Sequence, residues 1–180
     1  MSHNDKEVDV FGKEIIYVKI PNMEVNYLFN NYLLEILVVN ADIMSLMTNF
    51  CLAILENNKE NMEKTLNQIL PSTSFMNASE DHFQGYLDCL FSSFLNNKKY
   101  IVDSNRESGN VRFDLMIKDK IFNIGIVIEL KVTDGDMESG AIKGLNQIEE
   151  KEYYMDLVKQ GYKDIRKIAI CFKDKECVVK

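Results

Sequence analysis

The sequence predicts an α/β fold: a mixed β-sheet flanked by helices, preceded by an N-terminal helical segment. Three observations predict it. Apolar residues recur at helical spacing up to about residue 95, alternate over three short runs from Tyr100 to Val132, and return to alternation near the C-terminus after one more helical stretch. Strands joined through a helix can lie parallel by a right-handed crossover, whereas the three consecutive runs before it read as antiparallel neighbours.

Taken in order, the short strand-like "EIIYVKI" is followed by Pro21-Asn22, which opens a helix with the apolar stripe Val25, Leu28, Phe29, Tyr32, Leu33, Ile36 and Leu37. A second helix is predicted from about Asp42 to Leu55, on Ile43, Leu46, Met47, Phe50, Ile54 and Leu55. "ENNKEN" breaks it, and a third carries Met62, Leu66, Ile69 and Leu70. "PSTSFMNASED" then separates a helical segment, residues 1–72, from a second region, residues 73–180. Ser79 suits the N-cap of a helix running to about Leu95, with Glu80 in its first turn at the head of the stripe Phe83 and Leu87. "YIVDS", 111–117 and 124–132 read as strands connected by "NRESGN" and "KDKIFN". After the loop "DGDMESG", a helix is expected from about Ala141 to Gln160, stopped by Gly161, and "KIAICF" and "CVV" form a closing hairpin.

Composition narrows the function classes. The chain has 180 residues, 46% hydrophobic and 27% charged, enough to bury a core without staples. No run is apolar and long enough to cross a bilayer, and "MSHNDKEVDV" lacks the basic and then apolar start of a signal peptide, so a cytoplasmic location is expected. Cys51, Cys89, Cys171 and Cys177 show no Cys-x-x-Cys spacing and the histidines are His3 and His82, which argues against structural zinc and for free thiols. The net charge of −7 disfavours bulk attraction to nucleic acid, but residues 1–95 hold 5 basic and 13 acidic residues while 141–180 hold 9 and 7. The C-terminal half can therefore approach a phosphate backbone, and the acidic helices suit a protein partner or a second copy.

The run "IVIELKV" sets the chemical question. Ile126, Ile128, Leu130 and Val132 share one strand face, and Val127, Glu129 and Lys131 share the other, so two opposite charges emerge from a mostly apolar strand. On the preceding strand Arg112, Asp114 and Met116 are expected to share that second face. A tight turn at Asp119-Lys120 sets Asp114 opposite Gly125, about 13 Å from Glu129; a loop centred between Ile121 and Phe122 sets Asp114 opposite Glu129, with Cβ atoms about 5 Å apart. In the second register two carboxylates repel unless a cation lies between them, and an all-oxygen donor set suits Mg²⁺ or Mn²⁺. Lys131 then lies where its charge helps to position or deprotonate a nucleophile and to steady negative charge at phosphorus.

Asp114, then Glu129-Leu130-Lys131 on the next strand, preceded by a helix bearing Glu80, resembles the core of the PD-(D/E)XK nuclease superfamily. The element order matches its restriction-endonuclease-like αβββαβ core. More narrowly, "SEDHFQGYL", "SNRESGNVRFDLMI", "IVIELKV" and "GLNQIEEKEYY" resemble the nuclease-like domain that follows an AAA-ATPase-like domain in many bacterial proteins, and "IPNMEVNYLF" looks like the segment joining the two modules. The resemblance implies that residues 73–180 are a nuclease-like domain acting on DNA with Mg²⁺ or Mn²⁺, functionally linked to an AAA-type ATPase. It implies Asp114 and Glu129 as metal ligands, Lys131 as the catalytic lysine, Glu80 as an accessory acid that also reaches the metal, and Gln147 as a further site residue. Two positions depart from the pattern: Gln84 stands where His is usual and Val111 where Gly is usual. A non-cleaving binding or regulatory module on the same fold is the alternative reading.

Overall fold

A computed structural model describes residues 7–8, 14–15, 41–72, 78–95, 99–104, 107–108 and 111–180 of the chain. The expected helix after Pro21, the segment "IPNMEVNYLF" and the side chains of Cys89 and Arg112 lie outside the described residues. The chain divides into two units, residues 1–41 and 42–180. In the first, β1 (Glu7–Val8) pairs antiparallel with β2 (Glu14–Ile15), Glu7 opposite Ile15.

The second unit begins with two helices, α1 (Ala41–Glu56) and α2 (Lys59–Ile69). Asn58 caps α2 through its side chain, which accepts from Asn61 N at 3.1 Å. A 3₁₀ turn, Leu70–Ser72, follows. Helix α3 spans Glu80–Phe94, N-capped by Ser79 in a capping box completed by the His82 side chain. No helix among the described residues is long and apolar enough to cross a membrane.

Five strands form the main sheet: β3 (Tyr100–Ser104), β6 (Leu115–Asp119), β7 (Ile124–Val132), β8 (Asp164–Lys173) and β9 (Glu176–Val179), hydrogen-bonded in that order. Only the β7–β8 pair is parallel, and the crossover between them contains α4 (Met137–Glu150) and α5 (Met155–Lys159). The remaining strands, β4 (Glu107–Ser108) and β5 (Val111–Arg112), form a separate small hairpin.

Helices cover both sheet faces, for the reason the alternation gives. Ile126, Ile128 and Leu130 of β7 join Leu115, Ile117, Ile168, Ile170 and Phe172 in a core shared with Phe50, Met62, Leu66, Phe83, Leu87 and Phe91 of α1, α2 and α3. Phe83 stacks on Phe172 with ring centroids 3.9 Å apart and planes within 7°. On the opposite face Met116 and Val127 pack with Phe113, Ile148, Tyr153 and Leu157 under α4 and α5.

Two expected elements are interrupted. The strand predicted over 111–117 breaks at Phe113-Asp114: Phe113 packs on the same side as Met116, so the alternation slips there. The helix predicted over 141–160 breaks between Glu150 and Met155, where Glu152 takes φ 52°. The α4 stripe of Ala141, Gly144 and Ile148 would carry Tyr153 past the sheet on a continuous helix; the break turns Tyr153 and Leu157 inward instead. Cys51, Cys171 and Cys177 are free buried thiols, and the hairpin register sets Cys171 opposite Val178 rather than Cys177.

Candidate active site

The β6–β7 connection decides whether a site can exist, and it takes the wider of the two registers. Asp119 pairs with Ile124 and Leu115 with Ile128, leaving Lys120, Ile121, Phe122 and Asn123 as a four-residue loop. The buried Asp119 side chain holds that loop, accepting from Ile121 N at 2.8 Å and Phe122 N at 3.1 Å, and Asn123 leaves it at φ 55°. Continued by one residue, the register sets Asp114 opposite Glu129.

Strand β7 outruns β6, and its overhang gathers the carboxylates. Beyond Leu115, β6 offers no ladder partner, so the N–H groups of β7 on that side need other acceptors. Leu130 N donates to Asp114 Oδ2 at 2.8 Å, and Val132 N donates to Glu80 Oε1 at 3.3 Å. The two acids complete the strand in place of a neighbouring backbone. Glu80 arrives from α3, which packs on the Ile126–Leu130 face, so it reaches the site around the end of β7 rather than across the Glu129 face. It remains 47% exposed, with Oε1 3.9 Å from Lys131 Nζ.

Glu129 and Lys131 point together under α4. Lys131 Nζ donates to Glu129 Oε1 at 2.8 Å. Glu129 is 1% exposed, and its Oε2 is buried with no hydrogen-bond partner among the described residues. Burial first, then the charge of Asp114, pushes its carboxyl up to about 7, against the opposing pull of Lys131. Burial lowers the Lys131 ammonium, but the hydrogen bond to Glu129 and the charges of Glu129, Glu80 and Asp114 outweigh it, and the net direction is up. Gly144 permits the close approach of α4: a Cβ there would lie 2.9 Å from Ala169 Cβ, 3.5 Å from Lys131 Cγ and 3.6 Å from Glu129 Cγ.

Gln147 of α4 donates through Nε2 to the Tyr153 hydroxyl at 2.9 Å. Burial raises that phenol, the Gln147 hydrogen bond opposes, and the charges of Glu129 and Asp114 add to the rise, so Tyr153 lies in the field of the same acids. The structure thus brings Asp114, Glu129, Lys131 and Glu80 together, while Gln147 bonds to Tyr153, which feels the charges of Glu129 and Asp114. Tyr153 and Gln84, whose Nε2 donates to the Asp114 carbonyl at 2.9 Å, were not among the sequence-predicted site residues. Gln84 carries a signal in the sequence, standing where the resembled pattern has His and one helical turn after Glu80 on the same face; Tyr153 carries only its position off the α4 stripe.

Among the described residues no group of three or more His, Cys, Asp or Glu side chains is gathered as a ready-made metal cage. The donor chemistry nevertheless fits a hard divalent cation. An orphaned buried carboxylate oxygen on Glu129, with the Asp114 charge beside it, is the arrangement that Mg²⁺ or Mn²⁺ satisfies with two protein oxygens plus water and phosphate.

No curated protein and no solved structure matches this chain. The model of the PD-(D/E)XK nuclease superfamily matches residues 79–180, from the N-cap of α3 to the end of the chain. The mixed sheet flanked by helices is consistent with a restriction-endonuclease-like fold, and the matched segment includes Glu80, Asp114, Glu129, Lys131 and Gln147. With more than half of the sequence and the whole main sheet inside that match, the chain belongs to the PD-(D/E)XK nuclease superfamily.

Proposed function

We propose that this chain hydrolyses DNA phosphodiester bonds with a divalent cation, Mg²⁺ or Mn²⁺, held by Asp114 and Glu129 with Glu80 at the rim. The observation that carries the reading is the buried Oε2 of Glu129, which has no hydrogen-bond partner among the described residues, on a carboxyl raised toward protonation by burial and by Asp114. A divalent cation bound there would supply polarisation of the phosphodiester and activation of a water nucleophile.

The chain's own residues contribute the rest. Asp114 Oδ2 is tied to the β7 edge by Leu130 N, and the Asp114 charge is felt at Glu129. Lys131, with its pKa raised, is an ammonium at neutral pH; that favours stabilising negative charge at phosphorus over abstracting a proton from water. Tyr153 and Gln147 form a fixed polar pair beside the acids, able to orient a bound phosphate. Residues 73–180 carry the chemistry in this reading. In this reading the acidic sequence of residues 1–72 meets a protein partner or a second copy, and the link to an AAA-type ATPase rests on the resemblance of "SEDHFQGYL", "SNRESGNVRFDLMI", "IVIELKV" and "GLNQIEEKEYY" to the nuclease-like domain that follows such an ATPase, with "IPNMEVNYLF" as the joining segment.

The competing reading is a non-cleaving module acting through a protein partner. It is favoured by the engagement of Lys131 with Glu129 at 2.8 Å. Incubation with linear, circular and branched DNA and Mg²⁺ or Mn²⁺, with Lys131→Ala alongside, separates them. Cleavage lost in the variant supports the nuclease reading; Mn²⁺ binding without cleavage of any DNA form supports the module.

A further inference from the structure

The β6–β7 loop turns two large apolar side chains into water. Ile121 is 62% exposed and Phe122 66%, although the loop that carries them is tightly built. Asp119 accepts from Ile121 N and Phe122 N. Lys120 N donates to Lys99 O at 3.0 Å on the β3 side, and Lys163 N donates to Asn123 O at 3.3 Å on the β8 side. Backbone on both flanks therefore fixes the tip. Turns are ordinarily built from small and polar residues, and adjoining apolar side chains held out on a fixed turn are the kind of patch that meets a partner.

Charge says which partner. Lys99, Lys120 and Lys163 flank the tip, and Lys120 and Lys163 are exposed. Lys99 Nζ lies 4.8 Å from the centroid of the Tyr100 ring and 5.2 Å from that of Phe122. The acids at this end of the sheet are engaged elsewhere: Asp119 is buried against the loop amides, and Asp164 Oδ2 accepts from Arg166 at 2.7 Å. We propose that Ile121-Phe122 is a stacking platform for an unpaired base of a DNA strand, with Lys99, Lys120 and Lys163 meeting the phosphates beside it. An aromatic face that takes any base, set among cations that track the backbone, is the chemistry of single-strand binding. In an intact duplex the base faces are already stacked on one another, so a ring at the tip of a turn selects a strand end, a gap or a branch. A lipid surface is less favoured, because two side chains on one turn bury little apolar area for an anchor. The proposal deepens the reading of the chain as a DNA nuclease by naming the form of DNA, and it rests on that reading. Ile124, at the foot of the tip, lies five residues before Glu129 along β7, about 17 Å. The tip is therefore separate from the acid site, and about five nucleotides at duplex spacing span the two.

Binding is measured in EDTA, where no cation supports cleavage, by the anisotropy of a labelled oligodeoxythymidine strand and of a labelled blunt duplex. Phe122→Ala should weaken strand binding by about tenfold, and Phe122→Trp should keep it. The chain has no tryptophan, so quenching of the Phe122→Trp fluorescence by the strand reports stacking at this position alone. Lys120→Gln and Lys163→Gln should each lower the slope of log affinity against log salt by about 0.7. Leu52→Ala, at an exposed apolar residue of α1, should bind as the parent does. Equal binding by Phe122→Ala and the parent, an unmoved fluorescence in Phe122→Trp, a blunt duplex held by the parent as tightly as the strand, or vesicles containing phosphatidylserine that lose binding with Phe122→Ala while the strand does not, would overturn the proposal. If the parent holds the strand through Phe122 but cleaves no DNA with Mg²⁺ or Mn²⁺, the nuclease reading fails and the platform stands. If the parent cleaves and Phe122→Ala binds and cleaves equally well, the platform fails and the nuclease reading stands.

Discussion

Glu129→Gln should stabilise the cation-free protein, by an amount that grows with pH. Glu129 is 1% exposed, with one oxygen tied to Lys131 and the other without a partner among the described residues, and its carboxyl rises from an ordinary 4.5 to about 7. Because the folded value lies above the unfolded one, the folded protein retains a proton that the unfolded chain has lost between about pH 4.5 and 7. Stability is therefore full below 4.5, falls through that window and levels off above 7. At about 1.4 kcal/mol per pH unit, the loss amounts to about 3 kcal/mol. Glutamine keeps the shape and cannot ionise, so its stability lacks this fall. Urea unfolding of both proteins in EDTA from pH 4.5 to 8 should give curves that coincide at the acid end and diverge to about 3 kcal/mol at pH 8, the variant above the parent. Adding Mn²⁺ at pH 8 should close the gap, since the cation stabilises only the carboxylate form. Parallel curves across the whole range would refute the reasoning and would mean that Lys131 compensates fully for burial.

Three further substitutions test the same geometry. Lys131→Ala should abolish cleavage, a loss of about 10²–10³ in rate, while leaving Mn²⁺ affinity intact or slightly improved, because an ammonium supplies no ligand and opposes a nearby cation; a cleavage assay beside calorimetry checks both. Gly144→Ala should destabilise by about 1–3 kcal/mol in urea unfolding, despite the better helix propensity of alanine. Its Cβ would meet Ala169 Cβ at 2.9 Å and force α4 away from β8, and a stabilised variant would contradict that packing. Phe83→Ala removes a ring stacked 3.9 Å from Phe172 and should cost about 3–5 kcal/mol by the same measurement. A change below about 1 kcal/mol would show that α3 is not anchored through this stack.

Much of this was legible in the sequence because it is local. Alternation alone marks Ile124–Val132 as one strand with Glu129 and Lys131 on the side away from the larger core, and the structure keeps those bounds. Ser79 is readable as an N-cap, and the helix starts beside it at Glu80. The register was legible only as a choice of two, because the turn is settled by the Asp119 side chain folding back on Ile121 N and Phe122 N, which neither propensity nor period encodes. The breaks at Asp114 and Glu152 were hidden for a related reason. Each trades regular backbone pairing for a side-chain placement, Asp114 onto Leu130 N and Tyr153 into the second core, and periodicity counts continue across both.

The overhang of β7 explains why site chemistry and local fold are hard to separate here. Where β6 stops, a strand edge is left whose N–H groups must be satisfied; Asp114 and Glu80 do so, one from the bend before β6 and one from the head of α3. Had β6 continued regularly through 111–117, backbone would have paired with β7 and the acids would have had no N–H to hold them. The interruption that defeated the strand prediction is thus what orients the carboxylates. Gln84, which donates to the Asp114 carbonyl at that interruption, lies 30 positions away in sequence, on a different element. That contact is invisible to any reading of the strand alone, because it joins a helix side chain to a main-chain carbonyl of another element.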